Sequence, residues 1–297
     1  MGRSAVVSDF TSTIHVYEPH RSTLPPVRPY VREFWRRRRF ALELSRFTDK
    51  ATYLESPLGR VWLVLNPLLL ACIYYILVSI LRGGSNEGFG AGFSTLAHIL
   101  IGLFTFYFAQ NCMTMGGASI TAAGRLILNQ SFPRALLPLS SVISAFKQFL
   151  PTLPVYATIY IIGSSVTSSD LAGLSWALLW VPVLLALVAV SGFGLALLFA
   201  TLNVYFRDTS KLLSYVSRLW LYVSPILWEP DRLHGWHRMI LWANPLGPVL
   251  AANHEVWIRG ETPSLAVFGA AFGWAIFLML VGSYFFMTRE REFAIRL

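Results

Sequence analysis

The chain has 297 residues, of which 55% are hydrophobic, 14% aromatic and 13% charged, and its formal net charge is +9. A typical soluble domain carries about 25% charged residues, and a water-soluble protein this apolar would expose large apolar patches. Composition therefore excludes an ordinary soluble globule and points to an all-α polytopic membrane protein.

Residues 1–29 are polar, contain Pro25, Pro26 and Pro29, and read as a flexible cytoplasmic lead-in. No early apolar core marks a signal peptide. Residues 30–56 interleave Val31, Phe34, Trp35, Leu42 and Phe47 with the run Arg36-Arg37-Arg38-Arg39. That pattern predicts an amphipathic helix, lying in the membrane interface or packed on a partner. Ser56 before Pro57 reads as an N-cap and first helical turn, opening the transmembrane domain over 57–297.

Six apolar runs follow, at 61–81, 96–117, 139–163, 175–202, 212–228 and 265–287. A bilayer crossing needs about 20 such residues. The fifth run is short and holds Pro225, which predicts a kinked or incomplete span. The segment 229–264 contains apolar stretches at 236–242 and 249–258 that are too short to span. They predict short re-entrant or gate helices in the last external loop. Cys72 and Cys112 fall within spans and read as free thiols.

The basic residues set the orientation. The first 60 residues hold 11 of them, and Arg125, Arg134, Arg207, Lys211, Arg218, Arg289, Arg291 and Arg296 fall on the same side. The opposite side has Arg82, Arg232, Arg238 and Arg259. This bias places both termini in the cytoplasm, as an even number of spans requires. The positive charge is thereby accounted for by topology and membrane lipids, without nucleic acid.

No aspartate or glutamate lies inside the six runs. A proton-driven carrier generally keeps an intramembrane carboxylate, so energy for transport must come from elsewhere. A phosphate-cradling Walker loop needs Gly-Lys-Ser/Thr. The three lysines, Lys50, Lys147 and Lys211, never follow a glycine. ATP hydrolysis on this chain is therefore not expected, nor is a bound cofactor. His234 and His237 stand three apart near Glu229 and Asp231. The spacing suits zinc, but without further ligands it reads as interfacial polar residues beside Trp236, and no metal site is predicted. A membrane glycosyltransferase using Glu229 and Asp231 to hold a nucleotide sugar would have them on the outer face, where such sugars are absent.

Lys147 is the one charge well inside a run. It must snorkel to the interface or meet an anionic group of a cargo. Several aromatics look equally deep: Tyr74, Tyr75, Phe104, Tyr107, Phe108, Trp220 and Tyr222. They serve helix packing and interfacial anchoring, or they line a channel along which sugar rings slide on weak, repeated contacts.

The string Asn129-Gln130-Ser131-Phe132-Pro133-Arg134-Ala135-Leu136-Leu137-Pro138-Leu139 resembles the loop after the second span in ATP-binding-cassette export permeases for cell-surface polysaccharides. Leu58-Gly59-Arg60-Val61-Trp62, Asn66-Pro67-Leu68, Tyr205-Phe206-Arg207-Asp208, Ser224-Pro225-Ile226, Asn244-Pro245-Leu246 and Glu292-Phe293-Ala294 follow that family's order. The resemblance covers the chain from about residue 52 to its end. It implies a homodimer in a bacterial plasma (inner) membrane, joined to two separate ATPase subunits that carry ATP and Mg. It implies coupling to them through Gln130, Phe132, Pro133 and Arg134 in the loop at about 119–138. Without it, Phe132-Pro133-Arg134 reads as a turn with a topology-setting arginine. Members export O-antigen, teichoic acid or galactan on a polyprenyl diphosphate, which makes Arg38, Arg39 and Lys147 candidate diphosphate contacts. Arginine outnumbers lysine 21 to 3, which hints at a GC-rich genome and argues against a teichoic-acid source; of the remaining cargoes, a galactan exporter of the mycobacterial type is the expectation ahead of O-antigen. Two other functions fit the class: an ATP-driven exporter of a drug or small lipid, and a membrane-embedded glycan-modifying enzyme. The latter needs a catalytic acid facing a cavity, and none is evident.

Overall fold

A computed structural model of the chain describes residues 26–53, 59–81, 89–166, 171, 173–230, 235 and 238–297. Most of the lead-in, the Ser56-Pro57 cap and the trio Asp231, His234 and His237 lie outside the described residues. All regular structure among the described residues is helical.

The interface helix expected over 30–56 is two helices, α1 (Val27–Arg36) and α2 (Arg38–Tyr53). They break at Arg37, whose guanidinium bonds Glu33 on α1 and reaches the Ser131 carbonyl at 3.0 Å. Each helix turns one side outward and one to the protein, where Tyr30 and Phe34 of α1 pack partly buried. Val31, Trp35, Leu42 and Phe47 point outward, while Ala41 and Ser45 are buried against the protein. That suits an element seated between a bilayer surface and a helical bundle.

The chain continues through α3 (Trp62–Leu81), α4 (Phe89–Ala122), α5 (Gly124–Asn129), α6 (Leu136–Phe149) and α7 (Thr152–Val166). A short tight turn over Trp176–Trp180 leads into α8 (Val181–Tyr205), then α9 (Thr209–Val223), α10 (Arg238–Ala243) and α11 (Gly247–His254). A wide turn, Glu255–Arg259, ends at Gly260, whose φ of +66° is a left-handed cap that glycine adopts without strain. The chain closes with α12 (Leu265–Arg289), a tight turn over Glu290–Glu292, and α13 (Phe293–Arg296).

Among the described residues, four helical stretches are long and apolar enough to cross a membrane: Trp62–Ile80, Gly92–Ala122, Trp176–Tyr205 and Leu265–Arg296. The chain is thus an all-helical, multi-pass membrane protein. The other two predicted spans differ from single full helices. The run at 139–163 becomes α6 and α7, which meet around Leu150 and Pro151. Proline lacks an N–H and clashes with the preceding turn, which breaks the helix there. The run at 212–228 yields the 15-residue α9, closed by Ser224-Pro225. At 1.5 Å per residue that is about 22 Å, short of an apolar core of about 30 Å.

α8 is the axis, with α4 packed along one side and α12 along another. Small residues let the backbones touch. A Cβ on Gly192 would lie 2.8 Å from the Cys112 Cβ, and one on Gly194 would lie 2.6 Å from the Met279 amide nitrogen. Close approach through glycine and alanine is how apolar helices gain van der Waals contact when lipid offers no hydrophobic drive between them. Cys112 is a buried free thiol and Cys72 an exposed one.

The predicted short helices after α9 are present as α10 and α11, and every residue of α11 is buried. Trp257, just beyond α11, meets the rings of Tyr156 and Tyr160 edge-on at 4.7 and 5.3 Å. The Ser175 hydroxyl donates to the Gly260 carbonyl at 2.6 Å, so the segment is pinned at its far end too.

Candidate functional site

The loop between α5 and α6 is the best-defined polar junction in the molecule. Its tip is open: Leu128, Asn129, Gln130 and Ser131 are exposed. Its base is anchored. Pro133 is buried, and the half-buried Phe132 ring stands 5.2 Å from that of Phe40 on α2. The Arg134 amide donates to the Glu290 carboxylate at 2.6 Å, and the Arg134 guanidinium donates to the Glu290 carbonyl. Tyr30 of α1 is enclosed beside Glu290, its hydroxyl close enough to feel that charge but without a well-formed hydrogen bond. Burial, reinforced by Glu290, pushes the Tyr30 hydroxyl far above its ordinary value and keeps it protonated. Burial lowers the Arg134 guanidinium, with Glu290 and Tyr30 opposing that shift.

Three distant stretches of chain therefore meet at one point: α1–α2, the loop base and the C-terminal tail. An apolar cluster holds them, with Phe286 and Phe293 ring-to-ring at 5.2 Å and Ile127, Ala135 and Leu137 packed in. The end of α8 joins through Tyr205, whose hydroxyl donates to Glu292 and whose ring lies 4.1 Å from the Arg296 guanidinium carbon. Of the coupling residues expected from sequence, Phe132, Pro133 and Arg134 come together here, while Gln130 sits apart on the open tip.

Lys147 has partners on α2. Its ammonium donates to the Ser45 hydroxyl at 2.6 Å and to the Asp49 carboxylate at 3.2 Å. The pairing offsets the cost of a charge on an otherwise apolar helix, and it ties α2 to α6. The side chain remains 34% exposed. Arg38 and Arg39 are both exposed on α2, with the Arg38 guanidinium 4.9 Å from the Trp35 ring centre. A cavity of about 920 Å³ opens between α2, α4, α5 and α6, lined in part by Thr48, Ser119, Arg125, Ser140 and Ser141.

The seven aromatics singled out from sequence separate into groups. Phe104, Tyr107 and Phe108 border one cavity of about 280 Å³ between α3, α4 and α6. Phe104 and Phe108 are also core residues, the latter stacked on Phe149 at 5.2 Å. Tyr74 and Tyr107 neighbour Tyr222 across α3, α4 and α9, and Tyr222 is exposed. Tyr75 is half-buried and faces Gly92. Trp220 has a structural bond: its indole N–H donates to the Asn244 side-chain oxygen at 2.7 Å, and the Asn244 amide donates to Ser224 at 3.0 Å.

Sequence reasoning misses Glu290, Asp49 and a buried histidine pair. His98 on α4 and His254 on α11 have ring nitrogens 2.9 Å apart. The acidic pair Glu290 and Glu292 is visible in the sequence, but nothing local connects it to a loop 156 residues earlier.

Helical spans joined to a polar loop whose exposed tip is braced by the N-terminal helices define a multi-pass membrane protein with a built junction at one end. The chain belongs to the ABC-2 type transporter family, which matches residues 43–252. It is similar to the O-antigen export system permease protein RfbA of Klebsiella pneumoniae, 28% identical over 246 residues, which are 82% of this chain and 90% of that one. A second Klebsiella pneumoniae RfbA is 30% identical over 213 residues, covering 71% of this chain and 77% of the relative. RfbA of Myxococcus xanthus is 23% identical over 266 residues, 89% and 97% of the two chains. The chain is the permease component of an ABC-2 type transporter, and membership implies an ATPase partner.

Proposed function

We propose that this chain is the permease of an ATP-driven exporter that passes a polyprenyl-diphosphate-linked polysaccharide across a bacterial plasma membrane. It works as a homodimer with two ATPase subunits, with six spans and both termini cytoplasmic. α6–α7 forms one broken span and α9 the short fifth. The relatives named for O-antigen export, similar over most of their length, support a glycan substrate. The arginine-rich composition argues against a teichoic-acid source, and galactan is the cargo proposed within that class.

The observation that carries the mechanism is the braced loop. The partner ATPase docks on the exposed tip around Gln130. ATP binding moves the tip, and the Arg37–Ser131 bond and Phe40–Phe132 contact pass the movement to α1–α2. The Asp49–Lys147 pair carries it on to α6. The exposed Arg38 and Arg39, with Lys147, meet the lipid diphosphate as it approaches along the interface. Tyr222, backed by the half-buried Tyr107 and the buried Tyr74, faces the moving glycan.

Replacing Phe132 and Arg134 by alanine in the assembled transporter tests this. Export is expected to fall while membrane insertion and ATP hydrolysis by the complex persist. Unchanged export would remove the coupling assignment.

A further inference from the structure

Four amide side chains inside three expected spans converge on the cavity between α3, α4 and α6: Asn66, Gln110, Asn111 and Gln148. Each offers donors and an acceptor. Among the described residues, Asn66, Gln110 and Asn111 have no side-chain hydrogen-bond partner, and Gln148 reaches only the Met115 sulfur at 3.8 Å. Three other asparagines of the helical bundle differ. The Asn203 amide donates to the Gly117 carbonyl, Asn244 bonds Ser224, and Asn253 bonds the Val249 carbonyl. Amides placed in an apolar span without a partner are costly, and lipid tails cannot satisfy them.

The same cavity is bordered by aromatic surface, with the half-exposed Trp62 at its rim and Tyr107 in its wall. Among the described residues, no charged one lines it. Its volume of about 280 Å³ falls just below the range of about 300 to 1,000 Å³ for ligand pockets, room for a single sugar ring. Amides that give and accept hydrogen bonds, aromatic faces and no charge together fit a neutral, hydroxyl-rich ring. They fit a diphosphate poorly, since that needs cationic donors.

We propose that the α3–α4–α6 groove is a binding site for uncharged sugar units, held by the amides of Asn66, Gln110 and Asn111 and by the Trp62 and Tyr107 rings. The site rests on the glycan-export reading and deepens it. It separates recognition of sugar from recognition of the lipid diphosphate, which falls to the arginines of α2. Contacts made by several neutral amides suit a ligand that must leave again, because no single bond dominates.

The test uses the full transporter, permease with its ATPase, in cells lacking their own permease. Benzoylphenylalanine is introduced at Gln110, and cells are fed radiolabelled sugar and irradiated. Sugar label on the chain is expected, and it is expected to vanish in cells that make the lipid diphosphate without attached sugars. An unlabelled band at twice the chain mass would mean that a second copy fills the groove. A lipid adduct of equal yield in both cell types would mean that lipid does. Either result overturns the proposal. In parallel, the triple variant N66L/Q110L/N111L is expected to lower export at least about tenfold at wild-type membrane abundance. Retained export there, with no sugar adduct, overturns the groove while leaving glycan export standing. Failure of the unaltered chain to restore surface glycan would instead overturn the export reading and the groove with it.

Discussion

The α4–α8–α12 crossing and the junction around Arg134 hold the molecule together by opposite means. At the crossing, Gly192 and Gly194 let the helices meet by close packing, Gly192 against Cys112 and Gly194 against the backbone of α12. Such packing has one good arrangement, and any added atom forces a shift. At the junction, three chain segments meet through a few charge-assisted bonds and aromatic contacts, close to exposed surface. A part-buried bond to a charged group, such as Arg134 to Glu290, is worth about 1.5–3 kcal/mol, and an exposed one, such as Arg37 to Ser131, under about 1 kcal/mol. A transporter needs both: a scaffold that does not yield, and a place where an external push is received and passed on.

Substitutions break the comparison at graded strength. Gly194→Leu is the most severe, because the new side chain meets the backbone of α12. A loss of about 3 kcal/mol or more is expected, read as low membrane abundance and a lower unfolding temperature in detergent. Asp49→Leu leaves the Lys147 charge unpaired on α6 and is expected to cost about 1–3 kcal/mol, reduced by the partial exposure of the lysine. The double variant with Lys147→Met should recover most of that, and thermal unfolding of the four proteins in a cycle measures the coupling. Additive losses would show that the pair contributes nothing. Arg37→Ala is the mildest for stability, under about 1 kcal/mol, since its bonds are exposed. It is nevertheless expected to reduce export per ATP hydrolysed, and an unchanged ratio would detach α1–α2 from the coupling path.

The scaffold was largely legible in the sequence and the junction was not. Apolar run length finds α3, α4, α8 and α12 because a bilayer imposes it residue by residue. The same criterion runs straight through Pro151 and merges α6 with α7, since apolarity continues across the break. The kink at Arg37 has no proline or glycine to announce it, and the residue's bond there runs to Ser131, 94 residues away. Lys147 stands out as a lone charge, but its partners Asp49 and Ser45 lie about a hundred residues earlier. The motif around Phe132-Pro133-Arg134 marks the loop, whereas Glu290 and Tyr30, which brace it, belong to no local pattern. The amides of the α3–α4–α6 groove are scattered over three runs and look like tolerated polar residues until the helices bring them together.

The central claim is that this chain exports a lipid-linked glycan on energy supplied by a partner. The most direct measurement reconstitutes the chain, alone and with its ATPase, into vesicles loaded with radiolabelled lipid-linked oligosaccharide, and follows ATP-dependent transfer of the sugar across the bilayer. The account predicts no ATP hydrolysis by the chain alone and glycan transfer only with the partner present. Hydrolysis by the isolated chain, or transfer of simple phospholipid with the glycan left behind, would contradict it.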